Sequence, residues 1–240
     1  MTRLPILMYH NVSQTENDCV GLTISEQNLE AQFKYLIDNN YKTYHFSELE
    51  SLKRSNNLPK RAAIITFDDV YVSQLKFAYP LLKKYSLKAS FFIPFAYVNG
   101  VDDWNTAAEP IMSVEQLQSL DSKVVELGLH SFTHQNYTKM TPDEVHEDFV
   151  KCQEFVQENN LNVNNILAYP YGKYPKKLPG KKVFFNVLKT NHIAYALRIG
   201  NRINTFPFKN NYEIQRIDIK GEDSLLKFKL KLRLGKLKLF

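Results

Sequence analysis

Only two cysteines, Cys19 and Cys152, occur in 240 residues, so one bridge at most is available and a disulfide scaffold is excluded; thiols in a reducing compartment are expected. Glycine (8) and proline (10) are too sparse for a collagen-like or low-complexity chain. No apolar run approaches the ~18 residues that span a bilayer, and the stretch from Ile6 to Tyr9 is too short for the core of a secretory signal. Neither a transmembrane nor a visibly secreted chain is expected. Net charge is also missing from most of the molecule. The formal charge is +6, but residues 227–240 hold six Lys or Arg and no acid, which leaves 25 basic against 25 acidic residues in 1–226. A body without net charge does not steer polyanions, and no binding motif for nucleic acid is present, so nucleic acid is not an expected partner.

What remains is 44% hydrophobic and 13% aromatic residues, enough for a substantial core. Short apolar runs near residues 6–9, 42–44, 62–67, 89–93, 124–129, 166–168, 194–197 and 214–219 alternate with amphipathic segments, the pattern of repeated strand–helix units. Thr141-Pro142-Asp143-Glu144 reads as a capping box with Pro at the first helical position, Ser113 to Gln116 as a second box, and Leu29, Phe33, Leu36 and Ile37 as one apolar helix stripe. About eight strands with intervening helices and no fixed repeat predict an α/β fold, a single (β/α) barrel, with an open doubly wound sheet as the alternative. In either fold the loops after the strand ends build the site.

Three strand ends carry candidate chemistry. The run Ala62 to Phe67 stops abruptly at Asp68-Asp69, and two adjacent carboxylates at the end of a buried strand need a cation or donors to compensate them, or else simply open a surface turn. The run Val124 to Leu129 leads into His130-Ser131-Phe132-Thr133-His134, where two imidazoles four residues apart have the reach to share a metal. With a carboxylate from another strand they make a two-His, one-carboxylate set that leaves positions open for water and substrate. Ala168-Tyr169-Pro170-Tyr171-Gly172 has the Pro and Gly of an unusual backbone path, which presents an N–H to an oxyanion or is an ordinary turn.

Thr66-Phe67-Asp68-Asp69, His130 to His134 and Tyr169 to Gly172, in that order, resemble the first three motifs of the polysaccharide deacetylase family, the carbohydrate esterase family 4 or NodB-homology domains. Leu7-Met8-Tyr9-His10 is similar to the start of the permuted subgroup that contains the poly-N-acetylglucosamine deacetylases, and the likeness extends through Ala89 to Ile93 to Arg216-Ile217. The resemblance implies a distorted (β/α) barrel of about seven or eight strands over residues 1–226, removing acetyl groups from N-acetylated sugars of a poly- or oligosaccharide. It implies Asp69, His130 and His134 as metal ligands, Asp68 as base, His10 as acid and the Tyr171 N–H as oxyanion donor. Tyr169, Pro170 and Gly172 would contact substrate. The implied cofactor is one divalent metal, zinc by donor type, with cobalt or nickel binding similarly. Three departures stand out. Val70 occupies a family glycine position and predicts a shifted turn; the third motif has no Arg before its Pro; and Asp103-Trp104 is the sole candidate for the fourth motif, placing Trp104 along the sugar cleft. The departures keep a carbohydrate-binding pseudoenzyme open, and the same chemistry on a different amide remains open as well.

The segment 227–240 is expected as a separate basic tail. If extended, Phe228, Leu230, Leu232 and Leu234 lie on one face and Lys227, Lys229, Lys231 and Arg233 on the other. It either packs on the barrel or contacts an anionic membrane, the latter suiting a cytoplasmic protein peripheral to the inner membrane face.

Overall fold

The computed structural model describes residues 1–15, 19–55, 58–105 and 108–235. Its apolar runs form seven strands: β1 (Ile6–Tyr9), β2 (Ala62–Asp68), β3 (Ala89–Ile93), β4 (Val125–Leu129), β5 (Val163–Ala168), β6 (Tyr195–Ile199) and β7 (Ile214–Asp218). Each pairs in parallel with its neighbours in this order, and β1 pairs with both β2 (Ile6 to Ile64) and β7 (Leu7 to Ile217), so the sheet closes into a barrel. The expected strand near residue 42 is a two-residue annex, Lys42–Thr43, on the leading edge of β2. The ring therefore has seven members.

Burial explains why the strands read as continuous apolar runs rather than alternating ones. All seven residues of β2 are buried, because a barrel strand packs inward as well as outward against helices. Ile64, Phe92, Ile166, Leu197 and Ile214 fill the interior, while Ile65, Phe67, Phe91 and Leu129 join an outer layer with Leu29, Phe33 and Phe149 of the helices. The period of two puts Thr66 and Asp68 on the inward face with Ile64, Arg216 with Ile214, and His130 in line with Gly128. Gly128 has to be small: a Cβ there would meet the Phe92 ring at 2.7 Å and the Ile166 carbonyl oxygen at 2.9 Å. At the N-terminal end Glu126 closes the barrel, its carboxylate accepting the backbone N–H groups of Phe46 and Ser47 and the Ser90 hydroxyl.

The helices that cover the barrel are α1 (Glu26–Asp38), α2 (Leu49–Ser55), α3 (Tyr79–Lys84), α4 (Val114–Gln118), α5 (Pro142–Glu158), α6 (Gly180–Thr190) and α7 (Leu225–Leu234). Both expected capping boxes are present, at Ser113 and Thr141. The described part of the basic segment, whose apolar and basic faces separate only in an extended chain, is a helix, α7, capped by the Ser224 side chain. It begins before residue 227, buries Phe228 and Leu232, four residues apart, and sets Phe228 edge-on to Tyr35 of α1 at 6.1 Å. Lys231 is buried too and pairs with Asp223. The last five residues of the expected tail, 236–240, lie outside the described residues. No helix among the described residues is long and apolar enough to cross a membrane.

Candidate metal centre and cleft

The C-terminal rim of the barrel gathers the polar strand ends. Asp68, the last residue of β2, turns inward and meets Arg216 of β7, whose guanidinium donates to Oδ1 at 2.5 Å and Oδ2 at 2.7 Å. Thr66, one inward position earlier, accepts from the same guanidinium at 3.3 Å and donates to the Leu7 carbonyl, and the Phe92 ring lies beneath it at 5.6 Å. Burial alone would raise the Asp68 carboxyl, but Arg216, with His130 and His10, holds it well below the usual carboxylate range. His10, following β1, brings its Nε2 to 3.5 Å from Asp68 Oδ2. Burial is the main influence pushing His10 down to about 4, with Asp68 pulling the other way.

Directly after β2 the backbone turns through two left-handed residues, Asp69 (φ 74°) and Val70 (φ 45°). That turn separates the two carboxylates, sending Asp68 to Arg216 and Asp69 to the histidines. Val70 is fully buried in a conformation that costs a β-branched residue energy, and its carbonyl accepts the Met112 N–H at 2.9 Å. The turn expected to shift is thus held, under strain, by its surroundings.

The histidine loop is fixed from two sides. His130 Nδ1 donates to the Ala168 carbonyl at 2.7 Å, which aims a lone pair at Nε2 toward Asp69. Ser131 (φ 67°) and His134 (φ 53°) curl the loop, and Asp148 of α5 accepts from the Ser131 hydroxyl, the Phe132 N–H and the Tyr137 hydroxyl. As a result the Nε2 atoms of His130 and His134 each stand 3.5 Å from Asp69 Oδ1. That oxygen is buried and has no hydrogen-bond partner among the described residues. A buried, unpartnered carboxylate oxygen with the His130 lone pair turned toward it is unfavourable without a cation. The donors fit one: bonds of about 2.0–2.2 Å at a tetrahedral angle put ligand atoms about 3.4 Å apart. Burial pushes His130 down and, together with His130, pushes His134 down to about 2; burial and Asp68 push Asp69 up. All three directions disfavour charge that nothing compensates, the condition a divalent ion relieves.

Around this cluster opens a cleft of about 430 Å³. Trp104 lines it, stacked on the His134 ring at 3.9 Å and 24°, so the residue assigned to the cleft by its motif is there. Tyr171 (φ 57°), half exposed, sets its ring 4.8 Å from His134, and Gly172 lies beside it in the wall. Tyr169 and Pro170, expected at the substrate, are instead buried away from the cleft. Tyr169 stacks on Tyr174 at 4.8 Å and donates to the Tyr212 carbonyl. A larger cavity, about 640 Å³, opens at the other end of the barrel near His45, Glu126 and Asn164, far from the paired aspartates and histidines in the fold. The residue whose role the sequence left unread is Arg216. Its signal was an arginine at an inward position of an apolar strand.

Comparisons with known proteins agree with this architecture. The Bacillus subtilis (strain 168) protein YxkH is 27% identical over 173 residues, covering 72% of this chain and 58% of its own length, so the chain spans little more than half of that relative. A Staphylococcus aureus poly-beta-1,6-N-acetyl-D-glucosamine N-deacetylase (strain MSSA476) is 26% identical over 210 residues, covering 83% of this chain and 69% of the relative. Among solved structures, the Streptococcus pyogenes deacetylase PplD in complex with acetate (TM-score 0.78, 21% identity, 96% and 98% covered) and IcaB from Ammonifex degensii (TM-score 0.78, 21% identity, 97% and 98% covered) share the fold. The model of the polysaccharide deacetylase family matches residues 55–183, from before the paired aspartates to beyond Gly172, and the chain belongs to that family.

Proposed function

We propose that the protein is a metal-dependent hydrolase that removes acetyl groups from N-acetylated sugars of a poly- or oligosaccharide. The observation that carries this reading is the buried, unpartnered Asp69 Oδ1 facing two imidazole nitrogens at 3.5 Å, with Asp68 and His10 poised beside it. Family membership and the deacetylase name of the Staphylococcus aureus relative support the choice of reaction.

Asp69, His130 and His134 hold the divalent ion, zinc by donor type. When bound, it acidifies water and stabilises developing negative charge. The chain's own groups do the rest. Asp68 is kept anionic by Arg216, yet each carboxylate oxygen has a second lone pair, so Oδ2 accepts the proton of the attacking water. His10 Nε2 lies 3.5 Å from that oxygen, so the proton that Asp68 takes from water passes to this otherwise neutral imidazole, which delivers it to the leaving nitrogen. The left-handed Tyr171 turns the third motif at the cleft wall, where its N–H serves the oxyanion. Trp104 and Tyr171 offer ring faces to the sugar. Acetate release from N-acetylated oligosaccharides tests the reading, with Asp68→Asn as the control; sugar binding without acetate release favours the pseudoenzyme, and release from a non-sugar amide alone replaces the substrate class.

A further inference from the structure

His10 and Asp68 lie just past the end of the β1–β2 ladder. The two strands pair from Ile6 with Ile64 to Tyr9 with Phe67, and the next residue on each is His10 and Asp68. There that ladder stops, and the chain after β2 leaves through the left-handed turn at Asp69 and Val70. The two side chains are not secured equally. Arg216 grips Asp68 by both carboxylate oxygens. The His10 ring has no such grip: its Nδ1 is buried with no hydrogen-bond partner among the described residues, and its Nε2 comes only to 3.5 Å from Asp68. A working imidazole is ordinarily oriented through its second nitrogen. This one is placed by its backbone.

The side chain that holds that backbone is Gln74. It is fully buried, and its Nε2 donates to the His10 carbonyl at 3.0 Å and to the Asp68 carbonyl at 2.6 Å. Both partners are carbonyl oxygens, so only the NH2 end of the amide can face them. Its own Oε1 stays buried without a partner among the described residues, a cost that packing alone does not explain. Gln74 opens a turn of π-helix, Gln74–Ala78, in which the Tyr79 N–H donates back five residues to the Gln74 carbonyl, a wide turn of the kind that recurs at functional sites. The preceding residue fastens the chain after His10: the Ser73 hydroxyl donates to Asn11 Oδ1 at 2.5 Å and accepts the Val12 N–H at 3.3 Å. We propose that Gln74 is a positioning residue that takes over where the β1–β2 ladder ends and sets the spacing of His10 from Asp68. Asp68 is fixed twice, by Arg216 and by Gln74, so loss of the amide displaces His10.

The inference rests on the role of His10 given above, and the test separates the two. Gln74→Met keeps the length of the side chain and loses both donated bonds. It is compared with His10→Ala and with the double variant for metal content, KM and kcat, by acetate release from chitin-derived and poly-N-acetylglucosamine-derived oligosaccharides. Gln74→Met is expected to keep its metal and a KM near that of wild type while kcat falls about 10²-fold, the scale for a group displaced by about 1 Å. Added to His10→Ala it lowers kcat no further, because the group it places is gone; a structural role independent of His10 would multiply the two losses. A crystal structure of Gln74→Met should show His10 Nε2 farther from Asp68 Oδ2 than 3.5 Å. If Gln74→Met does not fold, Gln74→Asn, one methylene shorter, keeps a buried amide that cannot span both carbonyls, and the same dependence on His10 is expected of it. Wild-type kcat in the folded variant, an unchanged His10–Asp68 separation, or losses that multiply overturn the positioning role alone. Undiminished turnover in His10→Ala overturns the acid role of His10 and the inference with it, and wild type that releases acetate from neither substrate overturns the functional reading beneath both.

Discussion

Arg216 grips both carboxylate oxygens of Asp68 from a strand two places away round the barrel, at 2.5 and 2.7 Å and wholly out of water. The arrangement keeps an acid ionised in the core and fixes which way its free lone pairs point. Removing one partner leaves a buried charge, which costs about 3–5 kcal/mol. Arg216→Met is therefore expected to destabilise strongly, and Asp68→Asn added to it should recover part of that loss. Asp68→Asn alone should keep the metal and lower turnover at least about 10²-fold, the scale of general-base help. Thermal denaturation with acetate release checks all three; additive stability effects contradict the pairing.

His10→Ala should lower turnover about 10²–10⁴-fold, the range for a lost general acid, while leaving metal content unchanged. His10 approaches Asp68 and no metal ligand within hydrogen-bonding distance. Metal loss in this variant would move His10 into the ligand set.

Val70→Gly relieves a left-handed β-branched residue, worth about 1–3 kcal/mol, and gives up a fully buried side chain worth about 1.5–3 kcal/mol. The two nearly cancel. Stability is expected within about 1.5 kcal/mol of wild type by that balance, with turnover retained. A large gain in turnover would show that the valine had displaced the base.

Asp223 ties α7 to the barrel through Lys231 and Lys227. Burial opposes its ionisation, but these lysines hold its pKa below the ordinary value of 3.8. A lowered folded pKa means that the stabilisation is complete above the unfolded value and disappears as pH falls through the folded one. Asp223→Asn should lower Tm by several degrees at pH 7, the scale of about 1–3 kcal/mol for a buried lysine left poorly paired. The difference should shrink below about pH 3.8, the ordinary carboxyl value. A gap independent of pH contradicts the assignment.

The sequence was readable where chemistry sits next to its own strand. Asp68-Asp69 and His130 to His134 stand at the ends of apolar runs, so their place on the rim follows from the pattern alone. Arg216 was not readable as a partner of Asp68, because 148 residues separate them and only ring closure through β1 brings the two inward faces together. Tyr169 misled for a local reason: the third motif turns sharply at Tyr171, which leaves Tyr169 with the core aromatics and brings only the Tyr171 ring into the open. In α7 the Lys–Leu alternation separates two faces only in an extended chain and left packing on the barrel open, whereas the Ser224 cap and the Phe228 and Leu232 spacing were the signals that counted. Tyr71 and Asp102 join where Val101 and Ile111 bridge to Pro110 and Tyr71, pairings that no periodicity announces.

The shared ion at Asp69, His130 and His134 is tested most directly by counting metal in protein purified without chelator, wild type beside His130→Ala. The account predicts about one divalent ion per chain in wild type and almost none in the variant, with acetate release lost on chelation and restored by added zinc. A full complement of metal in His130→Ala, or undiminished acetate release from chelated wild type, would contradict it.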